Sequence, residues 1–258
     1  MEIDAGGVRI YYETRGAGEP VLLIHGGATT GESWKAQAPA LAERYQLFVP
    51  DRRGHGRSPD VEGPATMDGY AEDMVAFMAA LGLESAYVIG WSDGGKVAVR
   101  MALSRPEFVR KLVMIGTELT RAGGTAANDR LMTTPEGLDS LASFAREDYE
   151  RLSPDGPGHF DVVFAKWTQM WSSIPDIQPA DVQHLPMPVL LMQGDDDCVR
   201  IEHNVAVARA IPDAQVAVIP GASHAVPLEK PALVNGLLLD FLGDTPSPKY
   251  MPMGDLSG

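Results

Sequence analysis

One serine of the chain lies in a sequence context that favours a nucleophile. The segment from Gly90 to Gly94 reads GWSDG, so a glycine stands two positions before Ser92 and another two positions after it. The apolar run 87–90 precedes this turn, and a helix-like segment follows it. So sharp a turn strains the serine and exposes its hydroxyl, and only glycines at the flanking positions avoid a collision. The pattern predicts that Ser92 attacks acyl groups.

A serine hydroxyl is a weak nucleophile and needs a base. Among the six histidines, His224 ends the segment PGASH, residues 220–224, just beyond the last predicted strand. A loop in that place can bring an imidazole back over the edge of a sheet. His25 and His55 lie in other glycine-containing turns. We predict that His224 is the base.

The segment GDDD, residues 194–197, contains three candidates for the acid that orients this base. Crowded carboxylates raise one another's pKa, so we do not expect all three to face one imidazole. Asp197 lies far enough past the glycine to reach His224, whereas Asp195 is expected to bind local backbone amides. Glu118, at the end of another predicted strand, is a geometric rival. We favour Asp197, which gives the order serine, aspartate, histidine along the chain.

Acyl transfer also needs two hydrogen-bond donors for the oxyanion. The backbone N–H of Asp93, directly after the nucleophile, is the first candidate. The second is the N–H of Gly27, in the turn HGGA that follows the apolar run 20–24. A bare glycine backbone allows a substrate carbonyl to approach closely.

The carboxylate of Asp93 would lie close to a site that must accept further negative charge. This arrangement lowers activity unless a cation compensates for it. The cation is either a side chain of the protein, Lys96 or Arg53, or a positive group of the substrate such as an ammonium.

Short apolar runs alternate with helix-like segments along the chain. The runs that predict strands are 20–24, 46–50, 87–90, 111–115, 189–193 and 215–219. Most lack alternation, as is typical of parallel strands covered on both faces, whereas residues 8–13 alternate and predict an antiparallel edge hairpin. Helical spacing covers residues 67–81, 96–104 and 231–242. The pattern predicts an α/β fold with a mostly parallel central sheet flanked by helices.

Two regions interrupt this alternation. Residues 117–185 carry no strong strand signal, and since a structureless loop of that length is uncommon in a compact domain, we predict a helical insertion. Residues 1–116 and 186–242 then form the core. The segment 243–258 is rich in proline, glycine and serine and is predicted to be a mobile tail.

Composition excludes several classes of protein. The 258 residues are 45% hydrophobic and 22% charged, which is ordinary globular usage, and the one cysteine, Cys198, has no partner for a disulfide within the chain. A formal charge of −14 argues against nucleic-acid binding, which needs a basic face. No apolar run is long enough to cross a bilayer, and residues 1–4 (MEID) open no basic-then-apolar signal, so we expect a cytoplasmic protein.

Taken together, these motifs resemble those of α/β-hydrolases over residues 8–242. Beyond the serine turn, the chain has HGG at 25–27, DRRGHGRS at 51–58, the acidic turn ending in Asp197, and G-x-x-H at 221–224. The resemblance implies an eight-stranded sheet, a Ser–His–Asp mechanism and a helical cap formed by residues 117–185. It implies no metal and no organic cofactor, and it makes the motif at 51–58 a structural turn network.

A finer resemblance concerns the substrate. Serine at residue 92 excludes the dehalogenase and epoxide hydrolase branches, which use aspartate there. The string GWSDGG at 90–95, with Lys166 and Trp167 in the insertion, is similar to the biphenyl-hydrolase-like (valacyclovirase) group of amino-acid ester hydrolases. An aromatic stripe that includes Trp167 and Trp171 is expected to divide between core packing and the substrate pocket.

These observations predict a serine hydrolase that cleaves a small-molecule carboxylic ester, as a monomer or a homodimer. The same triad could act on a lactone, an amino-acid ester or a C–C bond. A ligand-binding protein without turnover could also use this scaffold, because a fold does not determine a function.

Overall fold

Eight strands form one sheet in the computed structural model, which describes residues 1–243. The strands are β1 (Glu2–Asp4), β2 (Arg9–Arg15), β3 (Glu19–Ile24), β4 (Tyr45–Pro50), β5 (Ala86–Trp91), β6 (Val109–Ile115), β7 (Val189–Asp196) and β8 (Ala214–Ser223). The predicted tail lies outside the described residues except for Gly243.

The order of the strands across the sheet is β1-β2-β4-β3-β5-β6-β7-β8. β2 runs antiparallel to β1 and β4, and every other pairing is parallel. The predicted class, a mostly parallel α/β sheet with an antiparallel edge hairpin, is therefore confirmed. Parallel pairing brings the carboxyl ends of β3, β5, β6, β7 and β8 to one edge, where the candidate residues lie.

Ten α-helices lie between or after these strands within residues 1–243. They are α1 (Ala38–Leu41), α2 (Met67–Ala80), α3 (Asp93–Ser104), α4 (Ala126–Thr133), α5 (Pro135–Leu152), α6 (Phe160–Ser173), α7 (Pro179–Val182), α8 (Ile201–Ala210), α9 (Val226–Glu229) and α10 (Pro231–Leu242). Short 3₁₀ turns span Gly31–Trp34, Pro106–Phe108, Arg121–Gly123 and Pro157–His159. None of the described helices combines the length and apolarity that a membrane span requires.

The core has two layers, one on each face of the sheet. Successive residues of β3 show the division: Leu22 and Ile24 pack with α2 and α3, whereas Val21 and Leu23 pack with α1 and α10. All four side chains are fully buried. Because alternate strand residues point to opposite faces, a sheet covered on both sides needs apolar residues at every position, which explains the unbroken apolar runs.

The four helices α4 to α7 lie between β6 and β7. This segment corresponds to the predicted insertion, and it contains helices and turns apart from one bridge between Gly124 and Val199. It packs onto the core through a separate apolar cluster that joins Ala28, after β3, to Phe160 and Trp167 of α6. The domain boundaries at residues 117 and 185 stay predictions.

β7 extends further than the sequence predicts. The apolar run ends at Gln193, but the strand continues to Asp196, which pairs with Ser223 of β8. Oδ1 of Asp195 accepts a hydrogen bond from the amide of Ala222 at 3.1 Å. Asp195 therefore binds the neighbouring strand rather than a local turn, and the chain turns at Asp197.

Candidate active site

Ser92 occupies the turn between β5 and α3 in a strained conformation. Its φ of 57° and ψ of −121° are unusual for a residue with a side chain. The turn brings backbone segments together so closely that a Cβ at Gly90 or Gly94 would collide with neighbouring main-chain atoms. A hydrogen bond from the Ser92 amide to the carbonyl of Ile115 in β6, at 2.8 Å, anchors the turn.

The structure brings Ser92, His224 and Asp197 into one hydrogen-bonded chain. Oγ of Ser92 lies 3.0 Å from Nε2 of His224, and Nδ1 of His224 lies 2.8 Å from Oδ1 of Asp197. The three residues follow β5, β8 and β7, so the parallel sheet places side chains that are 132 and 27 positions apart in sequence at one edge. In this arrangement Nδ1–H donates to the carboxylate and Nε2 is free to accept the serine proton.

His224 is held by more than one partner. Burial by itself lowers the pKa of the imidazole, but its hydrogen bonds to Asp197 and Cys198 outweigh this effect and raise the pKa above its usual value. Sγ of Cys198 lies 3.3 Å from Nδ1, on the same side of the ring as the carboxylate. The carbonyl of His224 accepts a hydrogen bond from Nε1 of Trp91 at 3.0 Å. These contacts fix the imidazole toward Ser92.

The rival acid has another partner. Glu118 accepts a hydrogen bond from Nζ of Lys96 at 2.7 Å, and this ion pair lies in the cavity wall. Of the candidates, Asp197 is the one whose carboxylate hydrogen-bonds to His224. It is 9% exposed, and its Oδ1 also lies 3.3 Å from the amide of Val199.

His25 and His55 support the loop after β3 instead of acting as rival bases. His25 is fully buried; its Nδ1–H donates to the carbonyl of Gly26 at 2.8 Å, and its Nε2 accepts from the amide of Arg52 at 3.0 Å. Nη2 of Arg52 donates to the same carbonyl at 2.8 Å. Burial, with Arg52 nearby, lowers the pKa of both histidines well below the usual value, so both are neutral. The contacts of His25 order the segment that carries Gly27, whereas Nδ1 of His55 lies 3.0 Å from the carbonyl of Arg53.

The two expected oxyanion donors face the same cavity as Ser92. Gly27 and Asp93 both line it, and within residues 1–243 neither backbone N–H donates to another protein group. Asp93 is the first residue of α3, so its N–H is one of the unpaired donors at a helix N-terminus. Ala28, next to Gly27, has a φ of 55°, a second strained residue beside the cavity.

The carboxylate of Asp93 is paired with side chains of the protein. Its carboxylate is 5% exposed; Oδ2 accepts a hydrogen bond from Nε1 of Trp171 at 2.6 Å, and Oδ1 lies 3.6 Å from Nζ of Lys96. Burial by itself lowers the pKa of Lys96, but Glu118 and Asp93 outweigh it and raise the pKa, so the amine stays charged. Arg53, the other predicted cation, pairs with Asp73 instead.

Trp167 and Trp171 divide between packing and the cavity. Trp171 lines the cavity above Ser92. Trp167 is 2% exposed, stacks on His55 with ring centroids 4.3 Å apart, and is not among the residues that line the cavity. Of the two tryptophans expected to divide between packing and the substrate pocket, Trp167 therefore packs and is not placed to bind substrate, and Trp171 faces the cavity. One helical turn separates the two rings, so sequence spacing alone could not tell which faces the nucleophile.

The cavity over Ser92 has a volume of about 360 Å³ and is mostly apolar. Its roof comes from α4 and α5, which belong to the segment expected to form the helical cap, although none of their side chains is among the predicted site residues. The apolar residues that α4 and α5 contribute are Leu131, Met132, Leu141 and Phe144, and Leu228 of α9 also lines the cavity. Phe144 is 66% exposed. The signal in the sequence that could have indicated these residues is an apolar side chain on the polar face of an amphipathic helix. Such a side chain does not show which surface of the protein the helix packs against.

A second cavity, of about 340 Å³, adjoins the first. Lys96, Glu118 and Trp171 contribute to the walls of both. The second cavity is also lined by polar residues from the segment after β6, from α4 and α6, and from the segment before α7. These are Thr120, Thr125, Asp129, Thr168 and Asp176. A buried ion pair thus divides an apolar chamber beside Ser92 from a more polar one.

A comparison with known protein families identifies the family of this fold. A family model for the alpha/beta hydrolase fold matches residues 19–155, more than half of the chain. The chain therefore belongs to the alpha/beta hydrolase fold family, as the sequence motifs predict.

Relatives with different names cover nearly the whole chain. A protein of Azorhizobium caulinodans, named provisionally as a carbamate hydrolase, is 27% identical over 93% of this chain and 97% of its own length. A meta-cleavage product hydrolase of Pseudomonas fluorescens superposes with a TM-score of 0.78 at 26% identity, covering 93% of this chain and 96% of that one. A thermophilic esterase of Thermogutta terrifontis gives 0.71 at 26% identity, covering 94% and 98%. The resemblance to biphenyl-hydrolase-like esterases stays a prediction.

Proposed function

We propose that this hydrolase cleaves a small, uncharged carboxylic ester through Ser92, His224 and Asp197. The observation that carries the proposal is the 3.0 Å contact between Oγ of Ser92 and Nε2 of His224, at the floor of a mostly apolar cavity. The likeness to an esterase of known structure supports it.

In the first step, Oγ of Ser92 attacks the ester carbonyl while Nε2 of His224 takes its proton. The carboxylate of Asp197 holds Nδ1–H and stabilises the imidazolium that forms. Negative charge develops on the carbonyl oxygen, and the backbone N–H groups of Gly27 and Asp93 stabilise it. The position of Asp93 at the start of α3 adds the favourable field of a helix N-terminus.

The tetrahedral intermediate then expels the alcohol. His224 donates the proton from Nε2 to the leaving oxygen, which leaves Ser92 esterified. A water molecule takes the place of the alcohol, gives its proton to His224 and attacks the acyl carbon. Collapse of this second intermediate releases the carboxylic acid and returns the proton to Ser92.

The charges at the cavity favour a neutral substrate. Lys96 lies between two carboxylates, those of Asp93 and Glu118, so this group carries one net negative charge. A substrate carboxylate placed beside it would be repelled. An ammonium group is not needed either, because each of the two carboxylates already has a donor in the protein.

A second candidate reaction is hydrolysis of a C–C bond next to a carbonyl, and likeness to the meta-cleavage product hydrolase favours it. The same nucleophile, base and oxyanion donors would serve, with a carbon leaving group protonated in place of an alkoxide. The described residues that line the cavity include no unpaired cation that could bind an acidic substrate of this C–C reaction. We therefore rank this candidate second.

The test is the hydrolysis of p-nitrophenyl esters of increasing acyl length, run beside a neutral diketone. Ser92→Ala and His224→Ala are expected to lower ester turnover by about 10³-fold or more. Ser223→Ala is the matched control, because Ser223 also lines the cavity but donates to Glu229 at 2.7 Å. We expect it to keep most of the activity.

Equal rates for the wild type and Ser92→Ala would refute hydrolysis by this serine and favour a binding protein. Turnover of the diketone but not of any ester would favour the second candidate. Mass spectrometry of the wild type after rapid acid quenching should detect an acyl group on Ser92, and this adduct should be missing from Ser92→Ala.

A further inference from the structure

Cys198 lies against the side of His224 that faces away from Ser92. Its Sγ is 3.3 Å from Nδ1, the nitrogen that also contacts Oδ1 of Asp197 at 2.8 Å. The thiol lines the cavity, so it can be reached from the substrate side. One ligand atom from each of Asp197, Cys198 and His224 lies within 4.8 Å of the other two. Thiolate, imidazole and carboxylate are the three ligand types that Zn²⁺ accepts in proteins.

A second observation points to a ligand at the same place. Oδ2 of Asp197 is buried and has no hydrogen-bond partner within residues 1–243. Buried carboxylate oxygens are normally paired, so an unpaired one is a site where a cation is favoured. Gly116 presents no side chain here: a Cβ at that position would lie 2.9 Å from Nδ1 of His224 and 3.1 Å from Oδ2 of Asp197.

We propose that Asp197, Cys198 and His224 form an inhibitory site for a thiophilic divalent cation, with Zn²⁺ as the best match. A tetrahedral zinc ion has Zn–S of about 2.3 Å and Zn–N and Zn–O of about 2.0–2.2 Å, which puts its ligand atoms roughly 3.4–3.6 Å apart. The observed separations from Nδ1, 3.3 Å to Sγ and 2.8 Å to Oδ1, must lengthen by about 0.3 Å and about 0.6 Å to reach these values. The fourth position would face the cavity and hold water.

Metal binding at Nδ1 reverses the arrangement that the reaction needs. The cation takes the place of the proton on Nδ1, which moves to Nε2, and of the proton on the thiol, which passes to solvent. The neutral imidazole then carries its hydrogen on Nε2. An Nε2 that bears a proton cannot accept another from Ser92, so the base is lost. The carboxylate of Asp197 is also drawn to the metal and no longer stabilises an imidazolium.

The inhibitory consequence rests on the proposed function, but binding of the metal does not. The two can therefore be tested separately. Cys198 is the one cysteine of the whole chain, so any thiolate–metal signal reports this site alone.

Binding is tested with Co²⁺, which substitutes for Zn²⁺ and absorbs in the near ultraviolet when a thiolate coordinates it. Full-length Ser92→Ala protein, which does not depend on turnover, is titrated with Co²⁺ and then with Zn²⁺. We expect a thiolate-to-cobalt band that Zn²⁺ abolishes. The band should be missing from the double variant Ser92→Ala/Cys198→Ser, whose fold is checked by circular dichroism. Lack of the band in folded Ser92→Ala protein would overturn the proposal, whatever the enzyme hydrolyses.

Inhibition is tested on the wild type in metal-free buffer with micromolar Zn²⁺, each variant being compared with its own metal-free rate. We expect inhibition that EDTA reverses and that Mg²⁺ and Ca²⁺, which prefer oxygen ligands, do not cause. Cys198→Ala and Cys198→Ser should each raise the inhibitory Zn²⁺ concentration at least about ten-fold. Equal sensitivity of the wild type and both cysteine variants would overturn the proposal, since zinc would then act elsewhere.

Discussion

Replacing Trp171 by phenylalanine tests whether the protein itself balances the charge of Asp93. The change keeps most of the aromatic ring in the cavity wall but removes the N–H that lies 2.6 Å from Oδ2 of Asp93. Asp93 is 5% exposed, so water cannot replace this donor fully. A hydrogen bond to a charged group contributes about 1.5–3 kcal/mol, and we expect Trp171→Phe to lower the free energy of unfolding by that amount.

The same substitution in an Asp93→Asn background separates the charge from the packing. A hydrogen bond to a neutral amide contributes about 0.5–1.5 kcal/mol, so the loss should be smaller there and the coupling energy should be about 1 kcal/mol. Urea unfolding followed by circular dichroism gives all four free energies. Equal losses in the two backgrounds would contradict a charge-dependent hydrogen bond, because they would show that Trp171 acts only through its ring.

Kinetic measurements on Asp93→Asn test whether this carboxylate binds a cationic group of the substrate. Lys96 lies 3.6 Å from Oδ1 of Asp93, which at an effective dielectric constant of about 20 corresponds to roughly 4–5 kcal/mol of attraction. Because this cation is part of the protein, Asp93→Asn should lower the turnover of an amino-acid ester and of a matched neutral ester by the same factor. A selective loss for the amino-acid ester would instead indicate that Asp93 binds a cationic substrate group.

Four further predictions concern the active site and the buried residues that pack around it. Gly94→Ala should lower both the melting temperature and ester turnover, because the new Cβ would collide with carbonyl oxygens at the end of β3; unchanged activity would contradict this. Asp197→Asn should lower kcat by about 10⁴-fold, and since it removes the carboxylate that raises the pKa of His224, the acid limb of the kcat/KM profile should move to lower pH; an unmoved limb would show that another group titrates. Trp167→Ala should lower the free energy of unfolding by about 3–5 kcal/mol with little change in KM, as urea unfolding and ester kinetics would show. His25 and His55 are buried and neutral with lowered pKa values, so they bind protons only on unfolding, and the free energy of unfolding should fall as the pH drops below 6.5; comparison of urea midpoints at neutral and acidic pH checks this, and His55→Gln should weaken the dependence.

Several parts of the site could be predicted from short stretches of sequence. The glycines around Ser92 are needed because the turn leaves no room for a Cβ, and this local steric demand is visible in five residues. The strands were recognisable because burial on both faces requires unbroken apolar runs. The order of serine, aspartate and histidine followed from the order of the strands.

Other parts depended on contacts between distant segments. The sequence offered Lys96 and Arg53 equally as partners for Asp93, and the structure pairs Arg53 with Asp73. It could not show that Glu118 faces Lys96, because that contact depends on how α3 packs beside the end of β6. The length of β7 was underestimated, since Asp195 and Asp196 are polar residues held in a strand by the backbone of β8.

Short stretches of the amino-acid sequence are enough to predict the turn of the nucleophile, the class of fold and the residue types available as acid, base and oxyanion donor. The packing of the folded chain shows that Trp171 rather than Trp167 faces the cavity, that Cys198 contacts His224, and which side chains of α4 and α5 line the site. The two groups of features differ in the sequence distance between the residues that produce them. Turn sterics and strand burial act between residues that are neighbours in sequence, whereas the direction in which a helix faces depends on the surface against which it finally packs.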